Sequence, residues 1–368
     1  MGVRYIDATD LGRHGYRSGQ GESNGIVYTC RGGHVDIAHL RKLADWTAYL
    51  AYHLRDALVR GDEEFSFKMF EPTRHHVELQ YPAGWQYIKA EARKEIATQI
   101  SISLGEHLAY TASIWHEILT WYGFKAIGFY PEYNSAFSWE DNFSNALGCR
   151  IAGLALRDDE HDYDEAIALH TEREMARLGP HSKETAKGAG DAVCDWWFRG
   201  AFIRVVMIKR HLDVGLDDGY VTPWLVPEVG GCGAAMPEPC PVPDLEPLAI
   251  YGFRMKHEIE PREWERHKIL RTVYPDRATR RKRIEPAKHL GIVIEHIRAE
   301  ADERYGPYAT VREANVPARF KGLSEAAFAS SEYDASGRTE GERSDQTNKR
   351  KRGLLEFLGS AVSWLVPL

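Results

Sequence analysis

The stretch 89-KAEARKEIATQISISLGEHLAYTASIWHEILTWY-122 decides the fold class. No proline interrupts it, and Gly123 follows at once, a residue that suits the left-handed turn closing a helix. A helix of this extent would run on the order of 50 Å at ~1.5 Å per residue, enough to be the spine of a domain. Gly105, Ala109, Ala112 and His116 recur along one of its faces. Small side chains there let a second helix come close, and His116 then points into the contact. An imidazole and a carboxylate, His116 and Glu117, thus sit where apolar side chains are expected to pack.

The flanking segments supply partners for that helix. Between Asp36 and Arg60 the residues Leu40, Leu43, Thr47, Ala51, Leu54 and Leu58 recur with a near 3.6 period, and Asp36 is suited to cap the first turn. Further helices are expected from Ser138 to Leu156, over 162–179, over 184–212, near 261–273 and over 286–304. The first two open with capping-box patterns, Ser138 with Asp141 in one of them. GIVYTC, ahead of the Asp36 helix, reads as a short strand, and residues 61–87 read as a connection. The expected architecture is mostly α: a multi-helix, bundle-like domain with minor short β segments and long loops. Residues 1–24 read as an irregular arm, 25–230 as the core, and 231–329 as a loop plus C-terminal helices packed on it. A polar linker over 330–352 and an amphipathic tail over 353–368 complete the chain.

A hydrophobic content of 43% across 368 residues supplies a full globular interior, so no staples are needed to hold it together. The formal net charge of −7, with basic residues dispersed, argues against a nucleic-acid partner, which requires a concentrated cationic surface. The five cysteines have neither metal-type CxxC spacing nor disulfide-scaffold density, although Cys232 and Cys240 bracket a Gly/Pro-rich loop and are candidates for a bridge.

Three clusters carry candidate chemistry. Asp36 and His39, three apart at a helix start, share the inward face. His116 and Glu117 are adjacent and diverge by about 100° on their helix, so one can ligate while the other moves a proton. Glu140 shares a face with Phe143, Leu147 and Ile151, an inward carboxylate in need of a partner, for which Arg41 is one candidate. Asp141 is explained by capping alone. Together Asp36, His39, His116, Glu117 and Glu140 form a mixed imidazole and carboxylate set suited to Zn, Mn or Fe, with Glu117 or Glu140 as proton acceptor. The same residues also suit a purely structural hydrogen-bond network. A separate reading uses Cys30, just before a glycine turn and a helix N-terminus, as a nucleophile with His34 or His39 as its base. The plainer account of Cys30 is a small buried hydrophobe.

The blocks NGIVYTCRGGHVDIAHLRKLADWTAYL, SIWHEILTWYG, SAFSWEDNFSNALG and GYVTPWLVP occur in this order. They resemble a bacterial family described as domain of unknown function 4056, over roughly residues 10–230. The resemblance implies a conserved helical domain, often carried behind a signal or lipoprotein leader, and therefore the cell envelope. It implies no particular activity or catalytic residue. This chain departs from the pattern in showing no leader, which leaves the cytoplasm open, and in having His34 where an aromatic or aliphatic residue is expected.

The leading expectation is an envelope-associated, metal-dependent hydrolase. A non-catalytic envelope protein that binds a partner or lipid is the alternative, and a hydrolase centred on Cys30 is the third reading. The segment 349-KRKRGLLEFLGSAVSWLVPL-368 sets basic residues before an apolar face and is expected to contact an anionic membrane surface or an envelope protein.

Overall fold

The computed structural model describes residues 4–16, 21–69, 71–125, 132–200 and 205–311. The expected linker over 330–352 and the tail over 349–368 lie outside the described residues. Among these, the helices are α1 (Ile37–Arg60), α2 (Ala90–Trp121), α3 (Asp141–Leu156), α4 (Tyr163–Leu178), α5 (Lys183–Ala192), α6 (Glu246–Ile250), α7 (Arg266–Val273) and α8 (Pro286–Tyr305). The strands are β1 (Ile26–Thr29), β2 (Gly33–Asp36), β3 (Glu64–Phe67), β4 (Arg74–Gln80), β5 (Phe198–Arg199), β6 (Val206–Met207), β7 (Tyr220–Val221), β8 (Cys240–Pro241) and β9 (Arg254–Glu260). The fold is mostly α with minor antiparallel β structure, as the sequence pattern indicates.

Helix α1 lies between α2 and α3, and the three form the centre of the molecule. The Asp36 side chain caps α1 by accepting from the N–H groups of Ala38 (2.7 Å) and His39 (3.2 Å). Gly61, at φ +82°, closes it by returning its N–H to Ala57 and Leu58. From Ile100 onward α2 is buried except at Glu106, His107 and His116. Gly105 permits the close approach of α1: a Cβ there would stand 2.7 Å from the Thr47 carbonyl oxygen and 3.0 Å from the Ala51 nitrogen. The small-residue face of α2 does what its sequence suggests.

The β structure departs from expectation most in the segment read as a connection. Residues 61–87 contain β3 and β4, which join the distant β9 in a three-stranded antiparallel sheet, order β3-β4-β9, with Arg74 opposite Glu260 and Gln80 opposite Arg254. Its inner face is made by His75, Val77 and Leu79, all buried, while Glu78 and Gln80 are exposed. Period-two alternation was therefore present in RHHVELQ, and the strand partner lay far away in sequence.

Helix boundaries also differ: the helix expected near 261–273 begins at Arg266, and α6 lies where no helix was expected. The helix expected over 184–212 stops at Ala192, because Asp195 adopts φ +62° and the chain turns into the short β5–β6 pair. Trp197 is buried there among Tyr28, Trp139 and Trp224 rather than on a helix. The helix expected from Ser138 begins at Asp141. The N-terminal arm is held firmly: Ile6 and Leu11 join the core, and buried Arg41 donates to the Leu11 carbonyl (2.8 Å) and to Asn24 (3.2 Å). No helix among the described residues is long and apolar enough to cross a membrane.

Candidate metal centre

The N-termini of α1 and α3 meet. The Asp36 N–H donates to Ser144 Oγ (2.9 Å), and Ser144 Oγ donates to the Glu140 carbonyl (2.7 Å), tying the two helix starts together. His39, in the first turn of α1, thereby faces Asp141, the first residue of α3, with Nδ1 2.7 Å from Oδ1. Asp36, His39 and Asp141 each offer a ligand atom, all lying within 4.8 Å of one another. Beside them, Glu140 has a buried carboxyl oxygen, Oε2, with no hydrogen-bond partner.

Helix α2 supplies the other wall. Glu117 is buried and accepts from the Phe137 N–H (2.6 Å), at a residue held at φ +56°. Such a conformation costs a non-glycine residue of order 1–3 kcal/mol and is retained where surrounding contacts dictate it. His116 makes a short hydrogen bond through Nδ1 to Glu71. Glu71 is positioned two residues before Thr73, whose N–H (2.6 Å) and hydroxyl (2.7 Å) both donate to Glu263 while its oxygen accepts from the Trp115 indole (2.9 Å). A cleft lined by His39, Lys42, Trp46, Glu71, His116 and Glu117 opens onto this group. The His39 side chain is 32% exposed and that of His116 26%, so solvent reaches both rings.

The electrostatics follow from the excess of acid. Five carboxylates, on Asp36, Glu71, Glu117, Glu140 and Asp141, surround two imidazoles. Burial alone would lower the His39 pKa, but Asp141 and Asp36 push it up to about 10. Burial likewise opposes the charge on His116, and Glu71 more than restores it, so that pKa is raised. Burial and then Asp141 raise the pKa of Glu117, while burial, Asp141 and Asp36 raise that of Glu140 well above the carboxylate range. Burial opposes the charge on Asp141 too, yet its pKa is lowered because His39 lies against it. Two of the acids are thus driven toward the neutral form, by burial first and then by neighbouring carboxylates, a condition that a bound cation relieves.

The sequence reading named five residues for this site. Asp36 and His39 lie within it, Glu140 is adjacent, and His116 and Glu117 stand across the cleft on α2. Two assignments change. Ser138 does not cap α3, whose N-cap residue is Glu140 with no side-chain cap, and the Asp141 carboxylate meets both the Ser138 side chain and His39. Arg41 does not pair with Glu140, since it is spent on the N-terminal arm. Glu71 was missed because its segment read as a connection, and no local pattern marks it.

Cys30 is bonded to Cys232, so the candidate nucleophile has no free thiol here, and the expected Cys232–Cys240 bridge is replaced; Cys240 is a buried free thiol. Neither proposed base pairs with Cys30: His34 faces the Ala186 carbonyl (3.1 Å) and His39 faces Asp141. The neighbouring imidazole is that of His181.

The model of the family described as protein of unknown function (DUF4056) matches residues 4–221. The chain belongs to the DUF4056 family. The matched region contains α1 to α5 and so every residue of the DUF4056 chain's α1–α3 centre described above. No curated protein and no solved structure matches the chain.

Proposed function

We propose that this protein is a metal-dependent hydrolase whose ion is held by Asp36, His39 and Asp141, with Glu140 close enough to join the set. The observation that carries the reading is the convergence of those three donors within 4.8 Å, from the starts of two helices, beside an unpartnered Glu140 carboxyl oxygen. One imidazole among carboxylates suits Zn, Mn or Fe. Such an ion supplies Lewis acidity and makes a water molecule easier to deprotonate.

The residues of the chain then divide the remaining work. Glu117, with its raised pKa and its backing from the Phe137 N–H, accepts the proton from the attacking water. His116, whose protonated form Glu71 favours against the effect of burial, faces the same cleft and donates to the leaving group. The Cys30–Cys232 disulfide supports an oxidising compartment such as the cell envelope.

Elemental analysis and zinc titration of the purified chain test the reading. Wild type should hold a transition ion, His39→Ala and Asp141→Asn should lose it, and His116→Ala should keep it while losing hydrolytic turnover on a panel of ester and amide substrates. A natively folded chain that binds no divalent transition ion refutes it.

A further inference from the structure

Away from the α1–α3 centre, a second set of donors converges. Cys30 ends the β1 side of the β1–β2 turn, His181 follows the Gly179 cap of α4, and Cys232 lies in the turn after Val229. Backbone bonds hold the Cys30 and His181 segments together, Cys30 N–H to the Gly179 carbonyl (2.8 Å) and His181 N–H to the Tyr28 carbonyl (2.8 Å), and the loop that carries Cys232 is tied to them by the Glu238 N–H to the Arg31 carbonyl (2.9 Å). Gly231, at φ +82°, presses on the imidazole so closely that a Cβ there would lie 2.9 Å from His181 Cε1. The two sulfurs are bonded, and His181 Nε2 lies 3.0 Å from Cys30 Sγ and 3.2 Å from Cys232 Sγ.

A structural disulfide has no need of an imidazole nitrogen shared between its sulfurs, because each is only a weak acceptor. Two thiolates and one imidazole aimed at a common point are instead a soft-metal donor set. All three residues are half-buried, which leaves solvent access for a fourth ligand. We propose that Cys30, His181 and Cys232 form a redox-gated zinc site, closed as the disulfide and open as the dithiol.

The chemistry balances with a dithiol reductant. It attacks the Cys30–Cys232 bond, delivers two electrons and two protons to the two sulfurs, and leaves as its own cyclic disulfide. Zinc then displaces both thiol protons. A tetrahedral ion with Zn–S near ~2.3 Å needs the sulfurs roughly 3.8 Å apart, a separation reached once the bond between them is broken. A disulfide oxidant reverses the sequence: it takes up the two electrons and is reduced to its own dithiol, the Cys30–Cys232 bond re-forms and the ion is released. The free thiols Cys149 and Cys240 are buried, and neither they nor Cys194 are among the donors that converge here.

The test uses the full chain, prepared oxidised or reduced with a phosphine, and zinc competition against a chromophoric chelator. The reduced chain should bind one zinc more than the oxidised chain, and cobalt in its place should give a thiolate charge-transfer band in the near ultraviolet. Cys232→Ser should abolish the additional site, His181→Ala should weaken it at least tenfold, and Cys194→Ser should leave it intact. His39→Ala should also leave it intact, so failure here is distinct from failure of the hydrolase reading. Equal zinc content in the two redox forms overturns the proposal, as does an additional site that survives Cys232→Ser. The oxidised-against-reduced comparison and the cobalt spectrum need no variant and stand even if Cys232→Ser folds poorly.

Discussion

Gly148 offers a direct test of how helix packing builds the proposed metal centre. On α3, a Cβ at this position would lie 2.9 Å from the carbonyl carbon of Leu40 and 3.0 Å from its Cα, with the carbonyl oxygen nearer still. Carbon atoms prefer separations of roughly 3.5–4.0 Å, so Gly148→Ala must push α3 away from α1 by roughly 0.5–1 Å. Overpacking of this kind costs about 1–3 kcal/mol, against which alanine in place of glycine returns about 0.5–1 kcal/mol in a helix. The expected net loss is about 0–2.5 kcal/mol. Asp141 stands two turns earlier on the same face of α3, and His39 directly precedes Leu40, so the same displacement spreads the ligands. Metal sites tolerate errors of only about 0.2 Å in ligand distance, and zinc affinity should fall at least about tenfold. Gly291→Ala is the control: it is exposed on α8 with nothing within 4 Å of the added carbon, and should raise stability by about 0.5–1 kcal/mol. Urea unfolding followed by tryptophan fluorescence, with calorimetric zinc titration, reads both effects. If Gly148→Ala matches Gly291→Ala in stability and binds zinc like wild type, the close helix contact does not govern the site.

Two further expectations concern pH. His14 is fully buried with Nδ1 2.8 Å from Glu22 and Nε2 3.0 Å from Asp45; burial opposes its charge, but these partners raise its pKa from 6.5 to about 9. The native state therefore holds the proton longer, so the contribution is complete below pH 6.5 and is lost as pH rises through about 9. It should amount to roughly 3 kcal/mol, visible as the difference between wild type and His14→Gln in denaturant titrations from pH 6 to 10; parallel curves would show that His14 does not hold the arm. His75 shows the opposite sign: burial lowers its pKa from 6.5 to about 4, beside His257 at 3.1 Å. The unfolded chain takes up the proton first, so stability should fall by roughly 3 kcal/mol between pH 6.5 and 4, and His75→Phe should flatten that limb; an unchanged slope counts against a buried neutral ring.

Much of the helical frame was legible because its signals are local. The Leu40–Leu58 period, the Asp36 cap, the closing Gly61 and the small residues of α2 each act over one or two turns, and α1 and α2 appear within a residue or so of their expected limits. That Asp36 and His39 share one side of the α1 start was readable for the same reason, since helical periodicity tells which face a side chain takes. The β3-β4-β9 sheet was not readable as a sheet, because pairing Arg74 with Glu260 depends on a partner that no window around RHHVELQ contains. Asp141 shows the limit most clearly: its spacing from Ser138 fits a cap, and only the approach of α1 to α3 turns its carboxylate to His39. Glu71 with His116, and Cys30 with Cys232 and His181, likewise meet across long separations. The sequence by itself determined the long central helices and the faces their residues take, because backbone hydrogen bonding and periodicity are short-ranged. Only the tertiary structure decided which of those residues face one another, because ligand sets and ion pairs depend on through-space distances that close packing of distant segments creates.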